Sequence, residues 1–237
     1  MPAALTAQNT TAITGTFAVP ADFLAEQIDT LFADVSIDAV KIGMLGSLHA
    51  IRTVAAALRQ HRPRFVVLDT VFRASTGSLL IDPRALDAFR EGLVPLATVV
   101  TPNAREAGVL LDAPTPRTVK AAATAARELV KQGACAALVT GGHLPLRSES
   151  VDVLFDGETV HEFRVPRVPG PSRHGTGCAL SSAVAARLAL GDALVDACRT
   201  AQAFVARAIA ASGELRVGKG AAPVNHLFTD AAKDPEN

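Results

Sequence analysis

The chain has 237 residues, 49% of them hydrophobic, and its 23 basic side chains balance 23 acidic ones. This length and apolar content suit a folded domain with a sizeable core, and the zero formal charge excludes a broad basic surface for a nucleic-acid backbone. No stretch reaches the roughly 18 apolar residues of a membrane span. Three cysteines without paired spacing indicate free thiols in a reducing compartment. We therefore expect a cytoplasmic protein that binds neither nucleic acid nor membrane.

Short apolar runs alternate with longer amphipathic runs along the first 140 residues. The predicted helices have apolar residues at helical spacing and lie at about 24–35, 48–58, 82–93 and 115–133. The predicted strands are apolar on both faces and lie at 39–42, 65–69, 97–101 and 136–140. This alternation predicts an α/β fold with a mostly parallel central sheet and helices on both faces.

The pattern changes after residue 150. Two alternating runs, at 151–155 and 158–165, flank Asp156–Gly157 and predict an antiparallel hairpin with a two-residue turn. A Pro/Gly-rich loop then leads into two helices, at about 177–190 and 192–212. Because neither a repeat nor a linker interrupts the chain, we predict one domain over residues 1–230, followed by a polar tail over 231–237.

Unusual polar residues follow three of the predicted strands. Asp69 ends one strand, Asn103 and Glu106 follow the next, and Thr140 with Gly142 follow the third. Each of these taken alone is equally consistent with a helix cap or a turn. In an open parallel sheet, however, ligands bind beyond the carboxyl ends of the strands. Carboxylates at Asp69 and Glu106 could hold Mg²⁺, directly or through water.

The segment from Arg173 to Cys178 opens an apolar helix. Its glycines let backbone N–H groups converge, and a helix N-terminus carries about half a positive charge, so the segment suits a phosphate or a transferring phosphoryl group. A cysteine in this position is expected to have a lowered pKa and some thiolate character. The alternative is a glycine turn before a tightly packed helix. Cys135 and Cys198 are predicted to be small buried hydrophobes.

Six motifs together resemble one known family. The segments lie, in the family's order and spacing, at 38–47, 66–71, 101–111, 137–144, 174–191 and 218–227. They resemble the hydroxymethylpyrimidine/phosphomethylpyrimidine kinases of thiamine biosynthesis, which belong to the ribokinase-like superfamily. The resemblance implies ATP-dependent phosphorylation of 4-amino-5-hydroxymethyl-2-methylpyrimidine and of its monophosphate. It also implies ATP and Mg²⁺ as cofactors, a small-molecule substrate as partner, and a homodimer.

The resemblance also implies a role for each matching residue. The anion hole would consist of Gly175, Thr176, Gly177 and Cys178, with Cys178 where many superfamily relatives carry an aspartate base. The substrate would lie against Gln8, Met44 and Val71, with Gln8 bonded to the pyrimidine. Mg²⁺ and the nucleotide would be organised by Asp69, Asn103, Glu106, Thr140, Gly142 and Lys219, with Asp69 and Glu106 as the metal residues. A glutamine amide suits a pyrimidine edge because it both donates and accepts.

Three departures from the family pattern bear on activity. Relatives have a strand and a glycine-rich loop before the segment that here begins at Leu5, so we expect either a start downstream of the true one or a truncated descendant with an exposed sheet edge. Thr140 stands where relatives usually carry lysine, which predicts weaker ATP binding unless Arg147 or Arg173 compensates. The sequence reads DTV at 69–71, where relatives have DPV. Arg73, two residues after this motif, either reaches the ligands or faces solvent.

Two other functions stay open at this point. Some relatives with the GTGC motif phosphorylate pyridoxal, so a pyridoxal kinase is one alternative. A catalytically impaired ligand-binding remnant is the other, which Thr140 and the short N-terminus favour and the intact loop at 175–178 disfavours. A structural zinc site is not expected, because no histidine has ligand spacing to another histidine or to a cysteine.

Overall fold

A computed structural model describes residues 1–73, 80–170, 173–215 and 217–228. The tail predicted over 231–237 lies outside these described residues. The chain begins with an antiparallel pair of strands, β1 (Ala4–Gln8) and β2 (Ile13–Ala18), which form a separate two-stranded sheet. The sequence analysis did not find this pair, because its threonine-rich residues are mostly exposed on both faces and show no clean apolar alternation.

The main sheet has six strands in the order of the chain. Its four parallel strands are β3 (Ala39–Ile42), β4 (Phe65–Leu68), β5 (Val99–Val100) and β6 (Ala137–Val139). The hairpin of β7 (Glu149–Phe155) and β8 (Val160–Pro166) extends the sheet because β7 pairs antiparallel with β6. The predicted mostly parallel sheet and the hairpin are confirmed. Among the described residues no strand pairs with the outer edge of β3.

Seven α-helices connect or follow the strands over the described ranges. They are α1 (Ala21–Asp34), α2 (Leu48–His61), α3 (Leu86–Gly92), α4 (Ala104–Leu111), α5 (Val119–Lys131), α6 (Thr176–Ala189) and α7 (Leu194–Ala210). The helix predicted from residue 115 begins four residues later, because the Thr118 side chain caps it by accepting a hydrogen bond from Ala121 N. The helix predicted from Asp82 begins as a short 3₁₀ turn at Pro83–Ala85 before α3.

The two faces of the main sheet each have their own core. Side chains of β4 alternate between them: Val66 and Leu68 pack with the α1–α5 side, and Val67 packs with the α6–α7 side. This arrangement explains why the strands read as apolar on both faces. Cys198 on α7 is fully buried as predicted, whereas Cys135 is exposed, so that prediction is wrong for Cys135.

The turn of the β7–β8 hairpin differs from the predicted one. β7 ends at Phe155 and β8 begins at Val160, so four residues rather than two connect the strands. Asp156 closes this loop because its Oδ1 accepts hydrogen bonds from the N–H groups of Glu158 and Thr159. Those bonds lower the pKa of Asp156 to about 2. Separately, none of the helices within the described residues has both the length and the apolar character that crossing a membrane requires.

Candidate active site

The polar residues that follow β4, β5 and β6 lie at one edge of the main sheet. Asp69 follows β4 directly, and its N–H donates to Ile42 O of β3. Asn103 and Thr140 form an isolated parallel bridge, reinforced by the bond from Thr140 N to Pro102 O at 2.9 Å. The carboxyl ends of three neighbouring strands therefore bring these residues to one edge of the sheet, the edge at which the sequence predicted them.

Asp69 is the buried charge of this edge. Its residue is 5% exposed, its Oδ2 lies 3.2 Å from Lys41 Nζ, and the Ser181 hydroxyl donates to the same oxygen at 2.9 Å. A Cβ at position 43 would lie 2.9 Å from Lys41 Nζ, so Gly43 leaves room for the ammonium. Neither Lys41 nor Ser181 was selected from the sequence. The signal for Lys41 was available, since it is the one charged residue in the otherwise apolar strand β3.

The loop before α6 approaches Asp69 from the face of the main sheet that α6 and α7 cover. Gly175 precedes the helix with φ +88°, a left-handed conformation that favours glycine, and no side chain caps the helix. The first N–H groups of an α-helix have no partner within the helix. Ala179 N is the first to bond back, to Gly175 O at 2.9 Å. The loop 175–178 therefore presents the N–H donors and the positive end of α6 beside Asp69.

The predicted thiolate character of Cys178 is wrong. The residue is exposed at the loop, but its thiol lies against Asp69 and Lys41. Loss of hydration around the thiol raises its pKa above the ordinary value, and the Asp69 carboxylate raises it further, while the Lys41 ammonium opposes both. The helix end alone suggested a lowered pKa, and the loss of hydration together with the neighbouring carboxylate reverses that effect.

Glu106 lies next to Asp69 at the start of α4. Its Oε2 accepts hydrogen bonds from Thr70 Oγ1 at 2.8 Å and Asn103 N at 2.9 Å, and Asn103 caps α4 in return. Burial raises the pKa of Glu106 to about 7 against the lowering effect of these bonds, and the Asp69 charge adds to the rise. Two neighbouring carboxylates suit a divalent cation, because Mg²⁺ prefers oxygen ligands.

The turn after β6 presents backbone groups to the same edge. Gly141–His143 form a 3₁₀ turn, and Arg167 donates to Gly142 O and Leu144 O, each at 3.2 Å. Burial lowers the pKa of His143, and the charges of Arg105 and Arg167 lower it further. The charges of these two arginines therefore act on the turn, a contribution that the sequence did not indicate.

The first hairpin brings the predicted substrate residue to the anion loop. Gln8 Nε2 lies 2.9 Å from His174 Nε2, and His174 directly precedes Gly175. The segment 218–220 packs on the same hairpin, since Gly220 N donates to Thr10 Oγ1 at 3.1 Å.

The remaining predicted site residues lie at varying distances from this edge. Met44 follows β3 and is half-buried, and Val71 N donates to Asp69 O at 3.0 Å. Lys219 is exposed on the 218–220 segment, and Arg73 is exposed beyond Phe72. Arg173, suggested as a substitute cation, donates to Ser212 Oγ at 2.6 Å. The structure thus gathers Asp69, Glu106, Asn103, Thr140 and the anion loop, with Gln8 beside them.

No cluster of three or more metal-binding side chains occurs in the part of the chain that the structure describes. Asp69 and Glu106 therefore offer a two-carboxylate site, in which water or phosphate oxygens would complete the shell of a Mg²⁺ ion.

Comparison with known proteins gives a consistent result. The family model for phosphomethylpyrimidine kinase matches residues 1–225. The hydroxymethylpyrimidine/phosphomethylpyrimidine kinase of Salmonella typhimurium is 41% identical over 224 residues, which are 94% of this chain and 84% of that protein. The thiamine biosynthesis bifunctional protein ThiED of Geobacter sulfurreducens is 44% identical over 231 residues, which are 98% of this chain and 46% of that protein. The chain thus spans about half the length of this bifunctional relative.

Among solved structures, a pyridoxal kinase from Bacillus subtilis in complex with ADP superposes with a TM-score of 0.84. It is 32% identical, and the match covers 94% of this chain and 82% of that one. The family model and the relatives cover nearly the whole chain. On these grounds the chain belongs to the phosphomethylpyrimidine kinase family, a family of phosphotransferases with the ribokinase-like fold.

Proposed function

We propose that this chain transfers the γ-phosphoryl group of ATP to the hydroxymethyl group of 4-amino-5-hydroxymethyl-2-methylpyrimidine, and then to the phosphate of that product. The observation that carries the proposal is the anion loop 175–178 at the start of α6, lying against the Lys41–Asp69 pair. The name of the Salmonella relative, which covers 94% of this chain, supports the substrate. The ADP complex of the pyridoxal kinase supports the nucleotide.

The anion loop stabilises the charge that develops during transfer. The unpaired N–H groups at the start of α6 point to where the oxygens of the moving phosphoryl group would lie, and the Lys41 ammonium adds a full positive charge nearby. Phosphoryl transfer requires mostly positioning and charge neutralisation, and these fixed donors supply both.

The proton of the substrate alcohol must move to a base as the new O–P bond forms. Cys178 carries its own proton at neutral pH because its pKa is raised, so it is no base by itself. The Asp69 carboxylate lies against that thiol. We therefore assign a relay in which the alcohol proton goes to the Cys178 sulfur while the thiol proton goes to Asp69.

A Mg²⁺ ion bound at Asp69 and Glu106 would neutralise the charge of the nucleotide phosphates. Thr140 and Gly142 would contact the nucleotide from the turn after β6, and Lys219 from the segment near Thr10. Gln8, Met44 and Val71 would form the substrate pocket.

Other properties of the protein belong to the same proposal. The exposed cross-strand pair of Leu5 and Phe17 on the first hairpin, together with the unpaired edge of β3, supports a homodimer. We further propose a cytoplasmic location, on the grounds of its free thiols and its substrates.

The test is an ATP-consumption assay on the purified chain with the pyrimidine alcohol, its monophosphate and pyridoxal as separate substrates. We expect turnover with the first two compounds and at least tenfold lower kcat/KM with pyridoxal. Preference for pyridoxal would support the alternative that the Bacillus subtilis likeness favours. Nucleotide binding without turnover of any of the three would instead identify a ligand-binding remnant.

The same assay on Gly175→Val tests the site. A β-branched side chain is strained at φ +88°, so we expect kcat to fall by two orders of magnitude or more. The matched control is Gly191→Val, which has φ +95° after α6 but lies outside the site. Equal activity losses in the two variants would contradict the role of the anion loop.

A further inference from the structure

Asp152 is a buried carboxylate that the proposed reaction does not use. It lies in the middle of β7 between Val151 and Val153, both fully buried, and is itself 5% exposed. Its Oδ1 accepts a hydrogen bond from Gly141 N at 2.7 Å. The hydrogen bond links β7 to the turn that follows β6, eleven residues earlier in the chain.

The surroundings of Asp152 provide little else to stabilise a charge. Gln202 on α7 lies beside it and donates from Nε2 to Phe163 O at 2.9 Å, and Cys198 packs close by. Burial raises the pKa of Asp152 to about 6, against the lowering effects of the bonds to Gly141 and Gln202. An ionisable group in such a place costs folding free energy unless it makes bonds that an apolar residue cannot make.

Gly141 is pressed against the strand that carries Asp152. A Cβ at position 141 would lie 1.8 Å from Val151 O, so no side chain fits there. The N–H of Gly141 consequently points into the sheet edge, where Asp152 accepts its hydrogen. On the other side of the turn, Arg167 donates to the carbonyl oxygens of Gly142 and Leu144. Two side chains therefore fix the turn: the Asp152 carboxylate bonds to its N–H at Gly141, and the Arg167 guanidinium bonds to two of its carbonyl oxygens.

We propose that Asp152 is a positioning residue for nucleotide binding: it fixes the Thr140–His143 turn so that the backbone of the turn meets the nucleotide. The inference rests on the proposed function, in which Thr140 and Gly142 contact ATP. Asp152 itself touches neither the substrate nor the reacting atoms. Its removal frees the turn and leaves the anion loop and the Asp69–Lys41 pair unchanged, because none of their contacts passes through Asp152.

The experiment compares Asp152→Ala, Asp152→Asn and the control Asp156→Asn, which alters a half-buried carboxylate on the turn of the same hairpin, away from Gly141. Dissociation constants of ADP and of the pyrimidine alcohol are measured separately by calorimetry, and KM for ATP and kcat by the consumption assay. For Asp152→Ala we expect weaker ADP binding and a higher KM for ATP by about 10- to 100-fold, the loss typical of a hydrogen bond to a charged group. The alcohol affinity should change less than about twofold, and kcat less than about threefold.

Asp152→Asn keeps an oxygen that accepts from Gly141 N–H, so we expect it to recover part of the nucleotide affinity. It also serves as the second variant should Asp152→Ala fold poorly. Faster hydrogen exchange at the Gly141 amide in Asp152→Asn than in Asp156→Asn would support the positioning role independently of activity.

Two results are clearly separable. Failure of the unaltered protein to bind ADP would overturn the proposed function. ADP affinities that are equal in the unaltered protein and in folded Asp152 variants would overturn this inference alone, and so would equal weakening of nucleotide and alcohol binding.

Discussion

Replacing Lys41 by methionine tests the electrostatics of the site. The change keeps most of the length of the side chain and removes the ammonium that lies 3.2 Å from Asp69 Oδ2. At that distance and an effective dielectric constant of about 20, two unit charges attract by about 5 kcal/mol. Water partly replaces the lost ammonium, because the Lys41 side chain is 20% exposed. We therefore expect the free energy of unfolding to fall by about 3 kcal/mol, at the lower end for breaking a buried pair.

A double-mutant cycle separates the charge effect from lost packing. With Asp69→Asn already present, the carboxylate that Lys41 neutralises is gone, so Lys41→Met should cost less than about 1 kcal/mol. The matched control is Lys131→Met, which removes the ammonium 2.6 Å from the exposed Glu128 carboxylate. Exposed pairs contribute little, so we expect its cost to stay below about 0.5 kcal/mol.

The measurement is urea unfolding followed by circular dichroism, since the chain contains neither tryptophan nor tyrosine for intrinsic fluorescence. Lys41→Arg should retain most of the stability. Equal losses for Lys41→Met and Lys131→Met, or an additive cycle with Asp69→Asn, would refute the assignment of a strong buried pair. The same variants assayed for turnover should show a loss of kcat for Lys41→Met beyond any loss of folded protein.

Four further predictions concern titration and nucleotide binding. The pKa of Asp152 is raised from 3.8 to about 6 in the fold, so stability relative to Asp152→Asn should fall by up to about 3 kcal/mol as pH rises from 4 to above 6, measured by urea unfolding. Glu106 has a pKa of about 7, so Mg²⁺ binding should displace its proton, and the Mg²⁺ affinity should rise between pH 6 and pH 8. Titration calorimetry should find no such pH dependence of the Mg²⁺ affinity in Glu106→Gln. At pH 8, iodoacetamide should modify Cys178 more slowly than Cys135, because the raised pKa of Cys178 leaves little thiolate. Mass spectrometry measures both rates, and faster modification of Cys178 would contradict the raised pKa. Thr140→Lys should lower KM for ATP several-fold, and an unchanged KM would show that the position does not act on the nucleotide.

The sequence predicted the parallel sheet and the edge at which its polar residues lie, because two rules act together. Strands apolar on both faces indicate a parallel sheet covered by helices, and the carboxyl ends of such strands meet at one edge. The sequence therefore predicts Asp69, Asn103 and Thr140 at one edge of the sheet, and the structure brings them to that edge.

What the sequence did not reveal depends on contacts between distant segments. Ser181 approaches Asp69 from 112 positions away, and Gln8 approaches His174 from 166 positions away. The local helix end predicts a lowered pKa for Cys178, whereas burial of the thiol and then the Asp69 charge, which a distant segment supplies, raise it. The first hairpin was missed for the opposite reason: its mostly exposed residues carry little of the apolar pattern on which strand prediction depends.

The charges at the sheet edge also explain why a cation belongs in the proposed reaction. Asp69 and Glu106 are two carboxylates, of which Lys41 neutralises one, and the raised pKa of Glu106 shows that the site resists a second negative charge. A nucleotide triphosphate brings several more negative charges to the same edge. The start of α6 contributes only about half a positive charge, and Arg105 and Arg167 act on the turn after β6 rather than on Glu106. This balance of charges supports the proposal that a divalent cation, or a proton on Glu106, accompanies the phosphates at this edge.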